Sequence, residues 1–268
     1  MPELPEVESV RKHIAPAMEH ARFTEVVLRR RDLRDPFPRR FRERLVGEKV
    51  MAVERRAKYL VVPLSSGETL VMHLGMSGSF RVGDALTIPH DHVVFHMSSG
   101  AVVTFNDPRR FGLMDLVPRG KLATHPALSA MGPEPLSVAF DGFALARACK
   151  GKKTSLKAAL LDQRVIAGIG NIYASEALHI AGLSPHRRAS TIATPSGLPR
   201  PAAHRLAAAV KKVLEDAIAR AAKGDYRSSR FLVYDREAER CRRRRCTGTI
   251  RRRTQAGRST FFCSECQR

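Results

Sequence analysis

No run of eighteen or more apolar residues occurs in this 268-residue sequence, so it contains no segment able to form a transmembrane helix. A basic-then-apolar leader is also missing. Met1 to Glu8 are acidic and punctuated by proline, which points to a chain kept in the cytoplasm, a reducing compartment. Acidic side chains are scarce, 26 against 47 Lys and Arg, which leaves a net charge of +21. Such an excess seeks a polyanion. Without a long basic amphipathic helix, an anionic membrane suits it less well than nucleic acid. There is no internal repeat, and compositional bias is confined to an arginine-rich tail. What is present suffices for a core: 43% of residues are hydrophobic, and the length fits one large domain or two smaller ones.

Cysteine is rare and unevenly placed. Of five, four lie near the end as Cys241, Cys246, Cys263 and Cys266, spaced C-x4-C, sixteen residues, then C-x2-C. This is the two-knuckle spacing of a structural zinc site closed over a β-hairpin. A pair of disulfides is the other reading, and a reducing compartment argues against it. Cys149 stands alone and reads as a small buried hydrophobe. Between Arg236 and Arg268 there are eleven arginines, three glutamates and no lysine. So short a tail needs a metal to fold, and its guanidinium groups suit bidentate contact with phosphate.

The hydrophobic pattern divides the chain. Glu6 to His20 carries helical spacing, with Val7, Val10, Ile14 and Met18 on one face. From Phe23 to Leu116 come short strand-like segments, EVVLRR, KVMAVER, YLVVPL, ETLVMHL, HVVFHM and AVVTFN, several separated by Ser-Gly turns. These predict a β-sandwich or barrel fronted by the first helix. A Gly- and Pro-bearing link follows. Helical spacing then returns over Leu156–Asp162, Ile172–Ala181 and Ala202–Ala222, the first two separated by the tight turn Gly168-Ile169-Gly170-Asn171. Asn171 suits N-capping, and the turn can offer backbone N–H groups to a phosphate.

The amino terminus is the sharpest chemical feature. Methionine before a small residue is ordinarily removed, and Pro2 would then become a secondary amine. An α-amino group titrates at about 7.7–8.0 and lysine at about 10.4, so roughly a few hundredfold more of it is unprotonated at neutral pH. Attack by this amine on a sugar C1′ gives an iminium, an electron sink that acidifies the C2′ proton. Glu3 stands beside it, able to move protons.

Several motifs run through the whole length: PELPEVE at the start, RRAKYL at 55–60, HLGMSG at 73–78, HDHV at 90–93, DPRRFG at 107–112, MGPEPL at 131–136, GIGNIYASEAL at 168–178 and GRSTFFC-x2-CQR at the end. In these the chain resembles the formamidopyrimidine-DNA glycosylase family, which has endonuclease VIII as a sister group. The resemblance implies an α+β protein: a catalytic β-sandwich domain over 1–118, a linker over 119–136, a helix-two-turn-helix region over 137–225 and a zinc hairpin over 226–268. It implies that Pro2 forms the covalent iminium, that Glu3 shuttles protons, that Glu6 helps position the site, and that Lys58 acts as an acid near the lesion and its phosphate. Strand cleavage by β- and δ-elimination would follow. Base flipping costs a few kcal/mol, and Met76, Arg109 and Phe111 would fill the vacated stack. His90, Asn171, Lys157 and Arg258 would hold phosphates. Damaged double-stranded DNA as partner, one zinc ion, a monomer, and a cytoplasmic, nucleoid-associated place in a bacterium complete the implication.

Two features depart from the family. The first knuckle is C-x4-C, filled with four arginines, where relatives usually have C-x2-C, so a wider and more basic hairpin mouth is expected. The interval Lys223–Tyr234 is too short for the long loop that caps 8-oxoguanine in relatives, so a more open pocket is expected. An endonuclease VIII-like preference for oxidised pyrimidines is the second reading. The third is a DNA- or RNA-binding protein without catalysis, which intact Pro2, Glu3 and Lys58 oppose.

Overall fold

A computed structural model describes residues 2–83, 87–222 and 231–268. The fold is α+β, and the chain divides into two compact units, Met1–Ser129 and Ala130–Arg268.

The first unit opens with helix α1 (Leu4–Met18). It starts two residues earlier than the hydrophobic spacing alone predicts, for a local reason. Glu3 is the N-cap and forms a reciprocal capping box with Glu6, while Pro5 sits in the first turn, where its missing N–H costs nothing. Then come β1 (Phe23–Leu28), α2 (Phe41–Leu45), β2 (Glu54–Arg56), β3 (Tyr59–Pro63), β4 (Thr69–His73), β5 (Ser79–Gly83), β6 (Asp91–Met97), β7 (Val102–Asn106) and β8 (Leu113–Val117). They form two antiparallel four-stranded sheets, ordered β1-β6-β7-β5 and β2-β3-β4-β8. Alternate residues turn inward from both sheets. Leu60, Val62, Leu70 and Met72 from one meet Val93, Phe95, Val103 and Phe105 from the other in a single core, to which α1 adds Val7, Ile14 and Met18.

The sandwich is as expected, with two strands beyond the sequence reading, β5 and β8. Each is short and follows a glycine-bearing turn, which masks its alternation. Within KVMAVER only the last residues join a ladder, as β2.

The second unit holds α3 (Gly142–Cys149), α4 (Leu156–Leu161), α5 (Asn171–Ala181), α6 (Pro201–Ala222), β9 (Ile250–Gln255) and β10 (Arg258–Cys263). Asp141 caps α3, a helix absent from the sequence reading. Ser155 caps α4, and α5 ends at Gly182 in the left-handed conformation (φ 70°). The cap of α5 is Gly170, not Asn171, which becomes its first helical residue. β9 and β10 pair antiparallel across the turn Ala256-Gly257, where both residues have positive φ, 49° and 72°, as a tight two-residue hairpin requires.

Candidate DNA-repair site and metal centre

In the first unit Pro2 and Glu3 lead directly into helix α1. Pro2 is half-buried directly before α1. Glu3 is buried, and its backbone N–H donates to Glu6 Oε2 at 2.6 Å. Pro2 therefore stands at the start of α1, beside the Glu3–Glu6 capping box.

Lys58 lies in the two-residue turn between β2 and β3 and is 7% exposed. Its neighbour Ala57 adopts a left-handed φ of 55°, unfavourable for a residue with a Cβ. Arg55 holds that turn by donating from Nη1 to the Ala57 carbonyl at 3.1 Å, while its Nε pairs with Glu8 on α1 at 3.0 Å. Glu8 also receives Arg11 at 2.8 Å. Burial pushes the Glu8 carboxyl up, but the two guanidinium groups more than offset it and hold the carboxyl below its usual value. The hairpin of Lys58 is thus fastened to the helix of Pro2 and Glu3 by a charge-assisted bridge.

His73 joins this neighbourhood, a role the sequence reading did not give it despite its place in HLGMSG. Its ring lies 4.6 Å from that of Tyr59, and its Nδ1 accepts the Gly75 N–H at 3.0 Å. Burial first, then the positive charges of Lys58 and Arg34, lowers it to about 4, so at neutral pH it is uncharged and its Nε2 carries the proton.

Met76 and Phe111 are each 43% exposed, unusual for residues of their size beside a packed core. The Arg109 guanidinium lies over the Phe111 ring, 4.8 Å from its centre. Their two loops touch through backbone. A Cβ on Gly75, which has φ 64°, would come within 2.3 Å of the Phe111 carbonyl carbon. Only glycine serves there, and the contact brings the Met76 loop against the Arg109–Phe111 loop. His90, exposed and at φ 73°, lies at the entry to β6.

In the second unit Arg258 is exposed at the tip of the β9–β10 hairpin. Asn171 Nδ2 donates to the adjacent Ser259 carbonyl at 2.9 Å. Lys157, one of the residues expected to hold a phosphate, is buried. It is 1% exposed, and its Nζ donates to the Ser259 carbonyl at 3.0 Å and to Thr260 Oγ1 at 2.8 Å. What it reaches is the hairpin. Glu176, another residue the sequence reading passed over, accepts the backbone N–H groups of Leu232, Val233 and Tyr234 at 2.7, 2.9 and 2.9 Å and so anchors the chain entering the hairpin. The expectation of a shortened capping loop rests on residues 223–230, which lie outside the described residues.

The four tail cysteines are free thiols whose sulfur atoms all lie within 4.8 Å of one another. Cys241 and Cys266 are 3.8 Å apart, and Cys246 and Cys263 are 3.6 Å apart. A tetrahedron with metal–sulfur bonds of about 2.3 Å has edges of about 3.8 Å, so this donor set fits a structural metal site and not two disulfides. The four-residue knuckle explains its own length. Arg243 turns onto the C-terminal end of α5 and donates to the carbonyls of His179 and Ile180, where the helix dipole favours a cation. His179 approaches the cluster from the same end, with Nε2 3.3 Å from Cys241 Sγ. Burial, then Arg243 and Arg236, lowers His179 to about 4, so the neutral ring can present an N–H to the thiolate. Arg242 donates to the Phe231 carbonyl at 2.8 Å, and it is exposed together with Arg244 and Arg245 along the knuckle.

Fold and site together define an α+β protein with a helix-fronted β-sandwich in one unit and a β-hairpin bearing a cluster of four cysteines in the other. Residues 1–114 match the family model of the formamidopyrimidine-DNA glycosylase N-terminal domain, and residues 131–228 match that of the formamidopyrimidine-DNA glycosylase H2TH domain. The chain belongs to the formamidopyrimidine-DNA glycosylase family. It is 52% identical to the formamidopyrimidine-DNA glycosylase of Azorhizobium caulinodans over the full length of both. Among solved structures it resembles the MutM (Fpg) protein of Thermus thermophilus at 37% identity, with a TM-score of 0.83 and 99% and 98% of the two chains covered. It also resembles the Lactococcus lactis glycosylase bound to DNA containing an abasic site, at 27% identity and a TM-score of 0.86, with 99% of each chain covered.

Proposed function

We propose that the chain is a DNA glycosylase of base excision repair that is also an abasic-site lyase, acting on oxidised or ring-opened purines in double-stranded DNA. The observation that carries this reading is the joining of the Pro2–Glu3 helix start to the Lys58 turn through Glu8 and Arg55. With Met1 removed, the Pro2 nitrogen bonds to C1′ as the glycosidic bond breaks, and the base leaves with a proton supplied by the site. The sugar ring opens to an iminium. Glu3 takes the C2′ proton, the electron pair forms the C2′=C3′ bond, and the 3′ phosphate leaves, with δ-elimination following. Glu6 holds Glu3 in place, and Lys58 acts as acid near the lesion and its phosphate. Met76, Arg109 and Phe111 fill the vacated stack, while His90, Asn171 and Arg258 grip phosphates and Lys157 braces the hairpin that carries Arg258.

The donor chemistry of Cys241, Cys246, Cys263 and Cys266 favours zinc, whose part is to close the hairpin. We further assign functional regions 1–118, 119–136, 137–225 and 226–268, a monomer, and a cytoplasmic place near the chromosome. The DPRRFG segment, together with the name borne by the relatives, favours purine lesions over an endonuclease VIII-like preference for pyrimidines.

Borohydride added to the protein with a duplex carrying a ring-opened purine, 8-oxoguanine or an abasic site should trap a covalent adduct, and Pro2→Gly should abolish it. Absence of an adduct on every such duplex would establish a binding protein instead. Faster trapping on an oxidised pyrimidine would move the lesion class.

A further inference from the structure

The residue that organises the candidate DNA-contacting loops is one that neither the proposed chemistry nor the proposed contacts use. Asp107 is 0% exposed, at the start of the turn after β7. Burying a carboxylate is costly unless its lone pairs are satisfied, so what it binds shows what it is for. Its Oδ1 receives the hydroxyl of Ser77 at 2.5 Å, in the Met76 loop. Its Oδ2 receives the backbone N–H of Gly112 at 2.8 Å, next to Phe111. Ser77 Oγ in turn accepts the backbone N–H of Arg109 at 3.1 Å. One carboxylate and one hydroxyl therefore tie the loop bearing Met76 to the loop bearing Arg109 and Phe111.

The backbone of Asp107 extends the network. Its N–H donates to the His90 carbonyl at 3.0 Å, and its carbonyl lies 2.9 Å from His92 Nε2. A break in the β6–β7 register between Asp91 and Val93 takes His92 out of the ladder, beside that contact. Gly112 allows the arrangement, since a Cβ there would stand 2.7 Å from the Phe105 ring and 3.1 Å from Asp107 Oδ2. The tips are exposed, while beneath them Asp107 and Gly112 are buried, Ser77 is half-buried, and all three are joined by hydrogen bonds.

We infer that Asp107 and Ser77 are positioning residues that hold Met76, Arg109 and Phe111 as a single rigid insertion element, so that all three enter a duplex together. This rests on the proposed stack-filling role of that trio. A wedge whose parts move independently would have to be ordered during insertion, and the frame removes that cost in advance. The consequence is selective. Loosening the frame slows reactions that require a duplex to be opened, and leaves reaction at a sugar that has no partner strand to displace.

The test compares two substrates in Ser77→Ala, Ser77→Thr and Asp107→Asn. One is a duplex with a damaged purine opposite dC, and the other is a single-stranded oligonucleotide with an abasic site. Loss of a charge-assisted hydrogen bond in the frame should slow single-turnover excision from the duplex by about tenfold to a hundredfold. Borohydride trapping on the single strand should stay at the wild-type rate. Ser77→Thr, which keeps the hydroxyl, should restore duplex activity. Should Asp107→Asn fail to fold, Ser77→Ala and its threonine rescue carry the test alone. Equal loss on both substrates, or no loss on the duplex, overturns the inference while leaving the proposed function intact. Failure of the wild-type protein to form an adduct with any DNA overturns both.

Discussion

The two units hold the side chains proposed to contact DNA by different physical means. In the first, a continuous apolar core lies between two sheets, and short polar bridges, Glu8–Arg55 and Asp107–Ser77, hold residues on turns. In the second, the hairpin has a core of five buried residues, Val233, Cys241, Ile250, Phe261 and Cys263, two of which are candidate metal ligands. A patch that small cannot order a hairpin whose first strand carries the exposed Arg251, Arg252 and Arg253. The deficit is met by the thiol cluster, by Lys157 and Asn171 at the tip, and by Arg243 and His179 at the base. Position follows from packing in one unit and from ligation and buried polar struts in the other.

The sharpest way to break this comparison is through the metal. Cys241→Ser, or removal of the ion with a strong chelator, should lower metal content, expose residues 241–268 to protease and weaken duplex binding by about a hundredfold or more. Trapping on a single-stranded abasic site should persist, because the proposed chemistry belongs to the unit built on the apolar core. Trapping lost in step with the metal would erase the distinction.

Lys157→Met gives the next largest effect. A solvent-facing lysine would be replaced at almost no cost in stability. The buried strut seen here leaves the Ser259 carbonyl and Thr260 hydroxyl short of a donor, so about 2–3 kcal/mol of stability should be lost, read from the denaturant midpoint. An unchanged midpoint combined with a shallower salt dependence of DNA binding would make Lys157 a phosphate contact after all.

These two residues also mark what could be read from the sequence. Strands with strict alternation, the long helices and the cysteine spacing were legible because each is set by local periodicity or ligand geometry. The amino-terminal chemistry proposed for Pro2 was suggested by one functional group alone, with no pattern of partners to read beside it. Lys157 was not, since burial of a helical lysine depends on a hairpin about a hundred positions away. Asp107, His73 and Glu176 were hidden for the same reason: each lies inside a recognisable motif, but its partners, backbone N–H groups together with the Ser77 hydroxyl for Asp107 and the Tyr59 ring for His73, are brought to it only by the fold. The capping role of Gly170 in place of Asn171 turns on φ and ψ, which composition does not encode.

His73 tests the first unit with a smaller effect. Held neutral, with its pKa lowered to about 4, it takes up a proton more readily in the unfolded chain. Its contribution is therefore fully present above about pH 6.5 and is lost as pH falls toward 4. Glu8, whose pKa is lowered below its ordinary 4.5, contributes stability that is lost only at pH values below that ordinary value. Replacing His73 with Asn keeps an acceptor for the Gly75 N–H and removes the titration. Denaturation midpoints measured between pH 6.5 and 4 should then flatten, with about 1–2 kcal/mol less loss across that window. An identical slope in the variant would mean that burial of the ring does not govern it.

The smallest expected effect separates aiming from binding. Arg258 stands exposed on the hairpin tip beside Ser259, whose carbonyl takes bonds from both Lys157 and Asn171, so its backbone is held while its guanidinium is left toward solvent. Arg258→Ala should leave stability unchanged, because nothing buried is lost, and should weaken duplex binding equally for damaged and undamaged sequences. The plot of log Kd against log salt should become shallower by about 0.9, the release of one phosphate's counterions. A change in lesion preference with no change in that slope would give Arg258 a part in reading the base. It would then belong with Arg109, among side chains aimed at the stack and not at the phosphates.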